Sequence, residues 1–240
     1  AHMGITVEGV KIDVAAMQKW KDGIVKKLTG GVASLVKGNG AELLKGEAKF
    51  VAKDTLEVTT PEGEKVRVKA SKAIVVATGT SIIDIPGFTP DGETIINARH
   101  AVSLQEAPKR MVIIGGGVIG MELGMVYQKL GTEVTVVEMM DQLLPGTDKD
   151  VVRVVEKHFN KAKENPATVL LKAKAQSCVV KNGVAQVTVE HEGQAKVIEA
   201  DKVMVCVGFR PNGKGIGLEE AGVKLDARGH AVADRSLIHI

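Results

Sequence analysis

Aromatic side chains are almost missing from this chain: they make up 2% of 240 residues, with one Trp, one Tyr and four Phe. That scarcity argues against nucleic-acid recognition by stacking, which needs aromatic platforms. Cysteine is as scarce. Only Cys178 and Cys206 occur, so there is no CxxC, no CxxxxC and no metal-ligand spacing, and two lone thiols point to a reducing compartment. Both lie in strand-like apolar runs and read as buried, inert thiols. The six histidines do not cluster and no HExxH pair exists. No apolar run approaches the ~18 residues of a membrane span. The start shows no basic segment leading into an apolar one, so no signal peptide is read there. The opening "AHM" fits either a cloning remnant or native chain. A net charge of +3 is spread along the sequence, which leaves no nucleic-acid footprint.

What is present is an ordinary globular composition, 44% apolar and 25% charged, in a length that suits one large domain or two small ones. From Lys11 to about Lys37, Ile12, Ala15, Ala16, Trp20, Ile24, Val25 and Leu28 fall at helical spacing, which predicts a long helix with an interruption or kink at Gly30-Gly31. "AELLKGEAKF", "DTLEVTT" and "EKVRVKA" alternate apolar with polar and predict a small antiparallel meander, turning at Pro61-Glu62-Gly63. "KAIVVATGT" is a continuous apolar run that predicts a buried strand. "DIPGFTPDG" marks a boundary. Beyond Arg110 the pattern becomes strand, turn, helix, strand. A further helix from Asp148 to about Lys163 has Asp148 as N-cap. More strands follow at "ATVLLKAKA", "SCVVKNG", "VAQVTVEHEG", "AKVIEA" and "DKVMVCVGF". Alternating β and α elements predict an α/β fold around a parallel sheet.

Within this pattern "VIIGGGVIGMELG" carries chemistry. Gly115, Gly117 and Gly120 follow an apolar strand and open a helix, the context that a dinucleotide fingerprint requires. Gly115 suits the tight turn, Gly117 the approach of a pyrophosphate, and Gly120 close packing of helix on strand. The helix start, with Gly116, Val118 and Ile119, supplies backbone N–H donors and a positive dipole end. Glu138 ends the next strand, where a carboxylate accepts hydrogen bonds from ribose hydroxyls and repels a 2′-phosphate. No Arg or Lys stands between Glu138 and Lys149 to neutralise such a phosphate. The site is therefore expected to take NAD rather than NADP.

The flanking segments carry a family resemblance. "KWKDGIVKKLTGGVASLVKGNGAELLKGEAKF", "AIVVATGT…IPG", "KRMVIIGGGVIGMELGMVYQKLGTEVTVVE" and "VMVCVGFRPN…LEEAGVKLDARG" occur in the order found in dihydrolipoamide dehydrogenases, within the FAD- and NAD-linked pyridine nucleotide-disulfide oxidoreductases. The likeness spans residues 4 to 234. It implies a homodimeric oxidoreductase that passes electrons from a dihydrolipoamide-bearing protein through a disulfide and FAD to NAD. It also implies a Rossmann-like NAD-binding domain inserted in a partial FAD-binding domain. On this mapping residues 1–87 are the latter part of the FAD-binding domain, 88–208 the NAD-binding domain, and 209–240 the start of the return to the FAD domain. Ala48 and the stretch Ala77, Thr78 and Gly79 then resemble FAD contacts. Ala175, Gly208, Ile119 and Glu122 resemble NAD contacts, the last two facing the junction of flavin and nicotinamide. Bacterial cytoplasm and mitochondrial matrix both suit the family, with neither nucleic acid nor membrane as partner.

The chain also departs from the family pattern. It shows no second GxGxxG for FAD phosphates, no CxxxxC redox pair, and neither the later flavin-binding segment nor the C-terminal domain with its His–Glu base. "SLIHI" does not continue as the family does, and Ile82 stands where proline is common. These departures imply an internal fragment, without catalytic residues of its own, that binds NAD at best and does not turn over alone. Apolar faces made for absent segments would favour association. Two other readings remain: a related NAD(P)H-dependent reductase of another disulfide or a metal ion, and a free-standing NAD-binding sensor module.

Overall fold

The computed structural model describes residues 9–162 and 165–237. Its elements run α1 (Val14–Gly38), β1 (Glu47–Ala52), β2 (Thr55–Thr59), β3 (Lys65–Lys69), β4 (Thr80–Ile82), β5 (Ile95–Asn97), α2 (Ala98–Ala101), β6 (Arg110–Ile114) and α3 (Val118–Lys129). They continue with β7 (Glu133–Val137), α4 (Lys149–His158), β8 (Thr168–Leu170), β9 (Lys174–Lys181), β10 (Val184–His191), β11 (Gln194–Ala200), β12 (Lys202–Val205) and β13 (Phe209–Pro211). Of the described residues, those up to Lys26 together with Asp84–Gly208 form one compact unit, and Lys27–Ile83 with those from Phe209 onward form another.

The first unit is built on a five-stranded sheet, β5-β12-β6-β7-β8, whose strands all pair in parallel. Successive residues of β6 serve opposite faces, as the period of two requires. Met111 and Ile113 pack with Met121, Tyr127, Val152 and Phe159 from the helical layer. Val112 and Ile114 pack with Ala185, Val187, Val189 and Ala200, which belong to the antiparallel sheet β11-β10-β9. Both faces are thus covered, and the near-continuous apolar run of β6 follows from burial on two sides. Fully burying one such side chain stabilises by roughly 1.5–3 kcal/mol.

Local signals explain the ends of several elements. Asp148 caps α4 by accepting the Asp150 N–H at 2.9 Å. The helix ends at His158, and Lys163, where the sequence pattern placed its end, lies outside the described residues, as do "AHM" and the last three residues of "SLIHI". The β9–β10 and β10–β11 hairpins turn at Asn182-Gly183 and Glu192-Gly193, whose φ values of 51° and 76°, and 54° and 75°, are those of the turn that matches strand twist. Asp91 Oδ1 accepts the N–H groups of Glu93, Thr94 and Ile95 at 2.7, 2.8 and 3.0 Å, ordering the "DIPGFTPDG" loop ahead of β5. At the base of α3, Gln128 donates to the Phe159 and Asn165 carbonyls, and Asn165 donates back to those of Gln128 and Thr132.

In the second unit β1, β2 and β3 form the expected meander, with the Thr60 N–H meeting the Glu64 carbonyl across the turn at 2.9 Å. Two expectations are corrected. The helix α1 runs through Gly30-Gly31 without interruption; a glycine in a helix interior costs only about 1 kcal/mol, which the rest of a 25-residue helix tolerates. "KAIVVATGT" is not a buried strand. Only Thr80 at its end is in β4, and Val75 is 88% exposed. A β-branched run becomes a central strand only where strands on both sides take its amides and carbonyls, and among the described residues β4 pairs with β13 alone. Ile82, the departure from the family's proline, is in that pairing, opposite Phe209.

Phe159 is fully buried and lies against the helix face opened by Gly124. Phe159→Ala should lower unfolding free energy by about 3–5 kcal/mol, measured by urea denaturation followed by circular dichroism.

Candidate nucleotide site

At the C-terminal ends of β6 and β7 the backbone turns at close quarters. Gly115 has φ +105°, and a Cβ there would strike the Cys206 carbonyl oxygen at the end of neighbouring β12. Only glycine combines that backbone with that approach. A Cβ on Gly120 would strike the Gly115 carbonyl, and one on Gly124 would lie 2.9 Å from Ile113 Cδ1. These glycines let α3 settle onto β6. Gly117 differs: it has φ −73° as N-cap of α3, and a Cβ there would meet nothing within 4 Å. Its glycine is not required by the protein's own packing. No side chain caps α3 at Gly117, and the first N–H groups of any helix lack intrahelical partners. The geometry therefore presents open backbone donors and a dipole end beside empty space, which suits an anion.

Glu138 completes the site. It is 7% exposed, its Oε2 accepts the Gly116 N–H at 2.6 Å, and its Oε1 accepts the Met140 N–H at 2.7 Å. The Gly115 N–H reaches the Val137 carbonyl at 2.9 Å, and the Leu144 N–H reaches that of Gly116 at 2.8 Å. Turn and carboxylate are thus one hydrogen-bonded body.

The remaining candidates fall elsewhere. Val118 is exposed and Ile119 half-buried on the first turn of α3, with Glu122 exposed one turn on. Ala175 sits half-buried in β9 opposite Val189, and Gly208, with φ +112°, is the last residue of the first unit. None of these hydrogen-bonds to the Glu138 carboxylate among the described residues. In the second unit Ala48 is exposed in β1 opposite Val58, and Ala77, Thr78 and Gly79 are exposed. Asn212, which the sequence did not single out, holds that stretch. Its Nδ2 donates to the Thr78 carbonyl at 3.1 Å, its N–H to that of Gly79 at 3.1 Å, and its Oδ1 accepts from Ser81 Oγ at 2.7 Å. Leu143 and Met140 were missed as well. No motif marks residues that act by filling a gap or by a backbone N–H.

The thiols stand apart from this site as nucleophiles. Burial pushes Cys206 up to about 12, and burial with the charge of Asp91 pushes Cys178 up. Neither is activated.

Residues 3–238 match the family model described as pyridine nucleotide-disulphide oxidoreductase. The chain belongs to that family. It is 40% identical over 234 residues to a dihydrolipoyl dehydrogenase of Geobacillus stearothermophilus, covering 98% of this chain and 48% of the relative. It is 39% identical to a mitochondrial dihydrolipoyl dehydrogenase of Dictyostelium discoideum, over 94% of this chain and 46% of the relative. The crystal structure of LpdA from Mycobacterium tuberculosis superposes with a TM-score of 0.85 at 25% identity, over 98% of this chain and 50% of that one. The chain spans about half the length of these relatives. Among the described residues, no helix is long and apolar enough to cross a membrane.

Two measurements check this geometry. Gly117→Ala should change unfolding free energy by no more than about 0.5 kcal/mol, whereas Gly120→Ala should lower it by about 1–3 kcal/mol, because its Cβ meets backbone that cannot yield. Burial raises the Cys206 thiol from 9.0, its ordinary value, to about 12 in the fold. Its contribution to stability is therefore complete below pH 9 and lost as pH climbs toward 12. Cys206→Ser should flatten the decline in melting temperature across that window.

Proposed function

We propose that this chain carries the NAD-binding portion of a dihydrolipoamide-oxidising flavoprotein, with part of its FAD-binding framework. The observation that carries the reading is the pairing of an open glycine turn with a buried carboxylate: Gly117 faces empty space while Glu138 stands against Gly116. Family membership supports it, as do relatives whose names state the dihydrolipoyl activity.

The residues fit the nucleotide. Gly115, Gly116, Gly117, Val118, Ile119 and Gly120 form the phosphate seat. The N–H groups at the start of α3 bind pyrophosphate oxygens, and Gly117 leaves room for them. Glu138 retains lone pairs that accept from adenosine-ribose hydroxyls and repels a 2′-phosphate. Ala175 and Gly208 present backbone to the nucleotide, and Glu122 with Ile119 lies on its nicotinamide side. Ala48 and Ala77-Thr78-Gly79 serve FAD in the same way. Gly79, at φ +64°, has nothing within 4 Å of a would-be Cβ. When bound, the two cofactors supply the hydride chemistry, and the protein's part is binding and orientation. On this reading residues 88–208 act as the NAD-binding domain, and 1–87 with 209–240 belong to the FAD-binding framework. The complete enzyme is a homodimer that meets a lipoyl-bearing protein in bacterial cytoplasm or mitochondrial matrix.

Titration of the chain with each reduced nucleotide, followed by fluorescence, tests the assignment. A hydrogen bond to a charged group is worth about 1.5–3 kcal/mol, so NADH should bind about 10- to 100-fold more tightly than NADPH, and Gly117→Ala should weaken NADH binding without unfolding the protein. Equal affinities for the two nucleotides would remove the assignment to NAD.

A further inference from the structure

Glu138 has work to do before any ligand arrives. Both of its oxygens are already engaged, Oε2 by the Gly116 N–H at 2.6 Å and Oε1 by the Met140 N–H at 2.7 Å. Its stem is engaged too: a Cβ on Gly116 would lie 3.3 Å from Glu138 Cβ and Cγ and 2.7 Å from Leu143 Cδ2. On the far side of Gly116, its carbonyl accepts the Leu144 N–H at 2.8 Å. The middle of the phosphate turn is therefore clamped between a side chain from the end of β7 and the loop that follows it. An ionised carboxylate has about four lone-pair sites. Two hold backbone amides, one on each oxygen, and one on each oxygen is left over.

We propose that Glu138 is a positioning residue that sets the phosphate turn in its binding shape in the nucleotide-free protein. The lone pairs it retains then meet the ribose diol, so that turn order and ribose recognition run through one carboxylate. The diol half rests on the NAD reading, whereas the clamp does not. A glutamine at this position offers one oxygen and one NH2 group, so one of the two backbone N–H groups would face a donor. An aspartate keeps the charge but is one methylene too short to hold both amides. A change of nucleotide preference made by replacing Glu138 accordingly loosens the turn for every dinucleotide.

Amide hydrogen exchange in the nucleotide-free protein tests the clamp. In the wild type the Gly116 and Met140 amides should exchange about 100-fold more slowly than in an unstructured chain. In Glu138→Gln they should exchange about tenfold faster than in the wild type, while Val112 and Ile113 in β6 keep their protection. NADPH affinity should not improve in that variant; a role confined to ribose and phosphate discrimination would make it tighter. Wild-type exchange of Gly116 at the unstructured rate, unchanged protection in Glu138→Gln, or tighter NADPH binding would each overturn the proposal. Should Glu138→Gln fail to fold, the wild-type rates decide alone. Absence of NADH binding would undo the functional reading and leave the exchange result standing.

Discussion

Where β6 ends between β12 and β7, a backbone amide and a buried carboxylate meet at 2.6 Å, and the site's geometry depends on that meeting. The parallel register places Ile114 opposite both Val205 and Val137. The residues that continue each strand therefore arrive side by side. Gly115 passes under the Cys206 carbonyl, Gly116 yields its Cβ space to Glu138 and Leu143, and α3 starts with its donors uncapped. Any side chain at Gly115 or Gly120 would push these pieces apart. At Gly120 the close approach alone demands glycine, whereas Gly115 needs both that approach and a φ of +105° that other residues rarely adopt.

The two units treat apolar surface differently. In the first, helices close one face of the parallel sheet and β9, β10 and β11 close the other. In the second, the apolar run before β4 is only partly covered, with Val75 88% exposed and Ile74 and Val76 half-buried, and along α1 Leu28, Val32 and Leu35 are exposed at 65%, 61% and 66%. Such a distribution is unusual for surface that meets water alone. It accompanies a chain that spans about half the length of its relatives.

Several elements were legible because their signals are local. Asp148 caps α4 by its own side chain, Pro61-Glu62-Gly63 turns the meander, and the glycine spacing after an apolar strand marked the turn at Gly115–Gly120. Glu138 could be named from its place at a strand end. Two of the failures have a long-range cause. The "KAIVVATGT" run has the composition of a central strand, but composition does not supply the neighbours that make a strand. Asn212 was invisible because it acts across more than 130 residues of sequence on Thr78. The pairing of β9 to β11 as a separate sheet was not anticipated, although Asn182-Gly183 and Glu192-Gly193 were signals for it.

The sequence by itself determined the class of fold, the positions of turn, cap and meander, and the residue types able to meet a dinucleotide. Each of those depends on dihedral preference or on spacing within a few residues, which the chain carries in any context. Only the tertiary structure decided that Gly117 faces open space while Gly116 does not, that both oxygens of Glu138 are held by backbone amides, and that the run before β4 is not a buried strand. Those outcomes depend on which distant segments lie alongside, and pairing and packing between remote elements leave no mark on the spacing of any one of them.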